Sequence, residues 1–127
     1  MDSFGGVKML EKDIQRACID YLDAKRIMYL RLNSGDVFRP GAAGKMYKVR
    51  GCEKGTADIL ILEKERGKYC KDIADKAMLC PRPIFVEFKS SKGKQTDEQE
   101  LFSNTVELLG YEYYLIRSLD ELIEALR

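Results

Sequence analysis

Residues 84–116 read IFVEFKSSKGKQTDEQELFSNTVELLGYEYYLI, and the order of patterns inside this stretch decides the fold. Over 84–89, Phe85, Glu87 and Lys89 alternate with Ile84, Val86 and Phe88, the period-two signature of a strand with one buried face. Thr96-Asp97-Glu98-Gln99 is a T-x-x-Q capping box that opens a helix reaching Leu109, with Gly110 as its C-terminal stop. Residues 111–116 return to strand character. Strand, crossover helix and strand make a βαβ unit, so its two strands run parallel and the helix lies against the sheet.

Upstream, Ala57-Asp58-Ile59-Leu60-Ile61-Leu62 is an apolar run with an aspartate inside it and reads as a more buried strand. The 21 residues from 63 to 83 are long for a hairpin loop and are read as an insertion, with a helical turn at 72–78. Leu10, Ile14, Ala17, Cys18, Tyr21 and Leu22 recur at three- and four-residue spacing, which predicts an amphipathic helix over 10–25. Residues 27–32 follow as a strand, ended by the turn residues Asn33-Ser34-Gly35-Asp36. The basic stretch 36–57 is read as a functional loop or hairpin with a short strand at 46–49. Ser118-Leu119-Asp120-Glu121 is a second capping box and starts a last helix. The order α-β-(β)-β-β-α-β-α predicts one α/β domain over 1–127, a mixed central sheet flanked by helices.

Composition narrows the chemistry. With 127 residues, 45% of them hydrophobic, the chain can build a core without disulfides or a structural metal. The absence of histidine excludes Ser-His-Asp and Cys-His nucleophiles, HExxH zinc sites and imidazole bases. Catalysis must use carboxylates, amines, hydroxyls or thiols. No apolar run approaches the ~20 residues of a membrane span, and residues 1–12 lack the apolar core of a secretory signal, so a cytoplasmic chain is expected. Cys18, Cys52, Cys70 and Cys80 then read as reduced, buried thiols; they show no CxxC spacing. Net charge is +1, which excludes a bulk polycation. Locally, Arg39, Lys45, Lys48, Arg50 and Lys54 against Glu53 give +4, while 97–127 holds eight acids and two arginines. The basic stretch can meet a polyanion.

Asp58 opens one strand, and Glu87 and Lys89 lie two apart on another, so the last two side chains share a face. If the strands are neighbours, the three charges converge. Paired carboxylates of this kind hold Mg²⁺ or Mn²⁺ by oxygen ligation, and an adjacent lysine orients or deprotonates an attacking water. The chemistry indicated is metal-assisted phosphodiester hydrolysis.

Taken together, Glu11 in the first helix, Asn33-Ser34-Gly35, Gly55-Thr56-Ala57-Asp58-Ile59, Val86-Glu87-Phe88-Lys89, Gly93-Lys94 and Gln99 resemble the VRR-NUC nucleases. These belong to the PD-(D/E)xK superfamily, with the restriction-endonuclease-like fold, and the resemblance runs over residues 10–121. It implies that Asp58 and Glu87 ligate the metal, that the Phe88 main-chain carbonyl is a further ligand, and that Lys89 is catalytic. It also implies that Glu11 stands near the metal and that Gln99 reaches the site. Gln99 is equally the N3 residue of the capping box, and the two roles are expected to exclude one another in one conformation. Lys92 and Lys94, with the five loop cations, are candidates for phosphate contacts that position DNA without reading its sequence. Most family members have a shorter connection where this chain has 63–83.

The expected activity is a structure-selective DNA endonuclease on branched or duplex DNA, similar to homodimeric Holliday junction resolvases. The alternatives are a silent DNA-structure-binding or partner-recruitment module on the same fold, and a flap or end-directed nuclease. The dimer face is expected on the 10–25 helix and around Ile73, Ala77, Met78 and Leu79.

Overall fold

Among the described residues, a four-stranded mixed sheet carries three α-helices. The computed structural model describes residues 9–32, 36–71 and 77–127, with side chains placed outside 36–39, 47, 49–50, 65–71 and 77–79. The order is α1 (Glu11–Ala24), β1 (Met28–Arg31), β2 (Asp36–Pro40), a 3₁₀ turn (Ala42–Gly44), β3 (Met46–Arg50), β4 (Ile59–Lys71), β5 (Ala77–Phe88), α2 (Asp97–Leu108), β6 (Glu112–Ile116) and α3 (Leu119–Ala125). The sheet runs β1-β4-β5-β6. Its β1/β4 and β4/β5 pairs are antiparallel and β5/β6 is parallel, as the βαβ pattern requires.

Register sorts the side chains. Ile59 faces Val86 and Ile61 faces Ile84 across β4/β5, and these four with Phe88 are fully buried. They pack against Ile14, Cys18, Ile19 and Leu22 of α1 and Leu122 and Ala125 of α3, closing the main core. Burial of each large apolar side chain contributes about 1.5–3 kcal/mol. Leu60, Phe85, Glu87 and Tyr113 occupy the opposite face. There α2 covers β5 and β6, with Phe102 edge-on to Phe85 at 5.4 Å and tilted on Tyr113 at 6.2 Å. Away from α2, Met28, Leu30 and Leu62 on this face are exposed.

Several expectations change. Of the stretch 63–83, read as an insertion, residues 63–71 and 77–83 are strand: β4 and β5 stay paired past the ends of β1 and β6, with a register shift between Glu65 and Tyr69. Once a ladder is nucleated, each added pair satisfies backbone groups that a loop would have to hand to water. Of the helical turn expected at 72–78, 72–76 lie outside the described residues, and Ala77 and Met78 are strand. The Asn33-Ser34-Gly35 turn also lies outside them, as do the side chains of Ala77, Met78 and Leu79, and Ile73. The apolar stripe of α1, expected as a dimer face, is in the monomer core, where Ile14, Cys18, Ile19 and Leu22 are buried. Cys18 is buried and free, Cys52 exposed and free, and Cys80 disulfide-bonded, so four buried reduced thiols is not what forms. Cys80 lies on the part of β5 that the extended ladder holds against β4. The basic stretch contains the β2/β3 hairpin, a separate two-stranded sheet. No helix is long and apolar enough to cross a membrane among the described residues.

Both caps form. Thr96 Oγ1 accepts the Gln99 N–H at 3.2 Å, and Ser118 Oγ accepts the Glu121 N–H at 3.2 Å. The Glu121 carboxylate differs from a closed box and accepts instead from the Arg117 N–H, one residue before the cap. At the other end of α2, Gly110 (φ 92°) places its N–H on the Glu107 carbonyl and the Tyr111 N–H on Val106, a Schellman stop.

Gly55 has the same φ of 92°, but an added Cβ there would lie 2.6 Å from the Glu98 backbone, whereas at Gly110 nothing lies within 4 Å. Gly110→Ala should therefore cost about 1–2 kcal/mol of backbone strain. Gly55→Ala should cost about 2–5 kcal/mol, strain plus overpacking. Urea unfolding of the two variants checks the ordering, and equal losses would mean that the 53–57 loop does not approach α2 this closely.

Candidate functional site

Because β4 and β5 are antiparallel, the start of one lies beside the end of the other, and Asp58 and Glu87 meet there. The Asp58 backbone is tied on both sides: its carbonyl accepts the Leu32 N–H at 2.9 Å and its N–H donates to Val86 O at 3.0 Å. Its side chain continues the ladder, with Oδ2 accepting the Phe88 N–H at 2.7 Å. An acid inside an apolar run is thus paired with a main-chain donor, which fixes its rotamer.

Glu87 is 2% exposed. Its Oε1 accepts from Gln99 Nε2 at 2.9 Å, and its Oε2 is buried without a hydrogen-bond partner. Gln99 meanwhile closes the capping box, its Oε1 accepting the Thr96 N–H at 2.9 Å. The two roles expected to exclude one another are filled together. The amide has an acceptor at one end and donors at the other, so the oxygen caps α2 while the nitrogen reaches the sheet. Gly55, pressed on the Glu98 backbone, brings the loop before Asp58 against the same helical turn.

Glu11 is the first residue of α1. Carboxylate oxygens of Glu11, Asp58 and Glu87 lie within 4.8 Å of one another. Two helix N-termini, those of α1 and α2, therefore border the acidic cluster with partial positive charge. Burial is the main cause that pushes the Glu87 carboxyl up to about 8, the Asp58 charge adds to it, and the Lys89 ammonium opposes it. Burial also raises Asp58, against the Phe88 N–H and Lys89. Lys89 is half-buried and acts electrostatically on both acids. As two acceptors, Asp58 and Glu87 can satisfy each other only by sharing a proton.

Asp58, Glu87, Lys89, Glu11 and Gln99 are thus brought together, and Phe88 supplies the main chain between Glu87 and Lys89 while its side chain anchors the core. Of the loop cations with described side chains, Lys45 and Lys48 are not gathered there. Lys92 and Lys94 are exposed in the turn after Lys89, and Lys45 and Lys48 are exposed on the separate hairpin. Lys54 is exposed with Glu98 at 3.6 Å, and the side chains of Arg39 and Arg50 lie outside those described. Two polar neighbours were not foreseen. Gln95 Nε2 donates to the Tyr113 hydroxyl at 2.9 Å, and burial followed by the Glu87 charge holds that phenol above its usual range. The parity of β6, which puts Tyr113 on the Glu87 face, was the available signal for Tyr113; nothing in the sequence marks Gln95.

Compared with protein families, curated proteins and solved structures, the chain gives no match.

Glu87 keeps its proton in the folded chain at pH values where the unfolded chain has lost it. Between its ordinary 4.5 and about 8 the folded state binds more protons, so stability is fully present below this window and falls as pH rises through it. The loss is up to a few kcal/mol. Thermal melts in EDTA at acid, neutral and mildly alkaline pH should show a falling Tm for the parent chain and a flatter profile for Glu87→Gln. Parallel profiles would mean that Glu87 is ionised throughout.

Proposed function

We propose that this chain is a metal-dependent deoxyribonuclease with a restriction-endonuclease-like fold, acting on branched DNA in the manner of a junction resolvase. The observation that carries the reading is the cluster of Glu11, Asp58 and Glu87 carboxylate oxygens within 4.8 Å of one another, together with a Glu87 Oε2 that is buried without a hydrogen-bond partner. A buried carboxylate oxygen left without a donor is costly, and the all-oxygen donor set fits a hard divalent ion. Mg²⁺ or Mn²⁺, held by Asp58 and Glu87 with Glu11 and the Phe88 carbonyl as further ligands, would neutralise phosphate charge and lower the pKa of water.

The chain's own groups then have distinct tasks. The Phe88 N–H fixes Asp58. The Gln99 amide occupies Oε1 of Glu87 and leaves Oε2 without a hydrogen-bond partner. Lys89 orients the attacking water and stabilises the charge that develops on the phosphoryl oxygens. Lys92 and Lys94, with Arg39, Lys45, Lys48, Arg50 and Lys54, contact backbone phosphates away from the cut. Each chain carries one such constellation, and a junction needs two opposed cuts, so the acting species is a two-fold homodimer.

Labelled four-way junction, flap, splayed-arm and linear duplex DNA, incubated with Mg²⁺ or Mn²⁺, test the reading. Paired nicks in the junction are expected, together with a mass by light scattering about twice the 14.6 kDa of the chain. Asp58→Asn, Glu87→Gln and Lys89→Ala should fall to background while remaining folded. Cleavage confined to flaps or ends by a monomer would move the substrate to that class. No cleavage of any substrate, or equal cleavage by Glu87→Gln, would overturn the assignment.

A further inference from the structure

Lys89 and Arg117 each follow a strand by one residue, just past the last paired residues, Phe88 and Ile116. The ladder continues to this point, since the Lys89 N–H donates to Ile116 O at 3.0 Å. Phe88 and Ile116 send their side chains into the core, so the residue after each returns to the face that carries Glu87. Arg117 thus stands beside Lys89, at the carboxylate end of two parallel strands, and is half-buried.

Its placement is fixed twice. The Glu121 carboxylate accepts its main-chain N–H at 2.7 Å, and its Nη1 donates to the Ser90 carbonyl in the turn after Lys89. Of the five N–H donors on a guanidinium, that single bond engages one. Among the described residues no carboxylate forms an ion pair with it. Arg82, also half-buried, shows the contrast: Glu112 takes its Nε and Nη2 at 2.7 and 2.8 Å, and the Ala125 carbonyl takes Nη2 at 2.8 Å. Between residues 97 and 127 the only other cation is Arg127, which lies 3.3 Å from Glu124. A positioned, unpaired guanidinium in an otherwise acidic third of the chain calls for an anion.

We propose that Arg117 binds a non-bridging phosphate oxygen of the DNA strand that passes the site, next to the phosphodiester presented to Glu87 and Lys89. This inference rests on the nuclease reading and names one point of its substrate contact. The planar fork matches phosphate oxygens, and the Ser90 anchor reduces the side-chain entropy lost when the contact forms. It also offsets the repulsion that Glu11, Asp58 and Glu87 exert on an approaching polyanion.

The test uses the full chain with Glu87→Gln to silence cleavage. Affinity for a short duplex is read by fluorescence anisotropy over about 50–300 mM salt. Adding Arg117→Gln, which keeps a donor for the Ser90 carbonyl, should lower the slope of log K against log salt by about 0.9. Adding Arg117→Lys should keep the slope, and the thermal midpoint should hold in both. An unchanged slope in Arg117→Gln, or equal weakening by Gln and Lys with a lowered midpoint, overturns the inference and leaves the nuclease reading standing. A Glu87→Gln parent that binds no DNA overturns both.

Discussion

Glu87 is a carboxylate placed where a carboxylate is expensive, and the elements around it are arranged by that fact. Its strand position puts it on the sheet face opposite the main core, under the first turn of α2, with 2% of its surface exposed. Leaving such a group charged in the interior without compensation would cost several kcal/mol. One oxygen is compensated by the Gln99 amide, and that same amide caps α2. The helix start, the close approach of Gly55 to Glu98, and the seat of Glu87 are consequently one coupled arrangement. The Phe85–Phe102 contact behind it fixes the height of the helix above the sheet.

The opposite end of the same strand pair shows what a compensated charge looks like. Arg82 and Glu112 form a bidentate pair, which holds Glu112 below the usual carboxylate range and Arg82 above its own. Arg82 also gathers carbonyls at the C-terminal end of α3, the Ala125 oxygen foremost. Each of its charges is answered locally, and the pair ties β5 to β6 and to α3. At the Asp58–Glu87 end the balance is the reverse: three acids, one lysine beside two of them, and a buried oxygen with no donor. Structural ion pairs relax toward the first pattern. The second leaves oxygen acceptors that an added cation would satisfy, which is why that end supports the proposed function and the Arg82 end does not.

Much of this was legible in the sequence because it rests on local chemistry. Thr96 and Gln99 announce the α2 cap, Gly110 its stop, and the alternation around Glu87 its strand. The βαβ rule then makes β5 and β6 parallel neighbours. The misread parts depend on information that single positions lack. Residues 63–71 and 77–83 carry no strong strand pattern of their own, and their pairing is inherited from Ile59–Val86 and Ile61–Ile84 further down the ladder. The disulfide at Cys80 follows from tertiary placement, not from spacing. The expectation that Gln99 must choose between cap and site treated the side chain as one group, although its oxygen and nitrogen point to different partners. Arg117 escaped notice because its meaning comes from what does not pair with it.

The economy of the IFVEFK strand lies in its period of two. Val86 and Phe88, both fully buried, are locked in the core on one side, so Glu87 and Lys89 are held on the other side by residues that cannot move without opening the core. Phe88 adds a third function through its main chain, since its N–H holds the Asp58 carboxylate of the neighbouring strand. Packing energy on one face is thereby converted into positional accuracy on the other, without a dedicated scaffold. The face that carries Glu87 and Lys89 contributes little to the main hydrophobic core, so its charges can be neutralised one at a time while the Ile59–Ile61–Ile84–Val86 layer keeps the sheet intact. That separation lets a chain of 127 residues hold a destabilising carboxylate cluster and still fold.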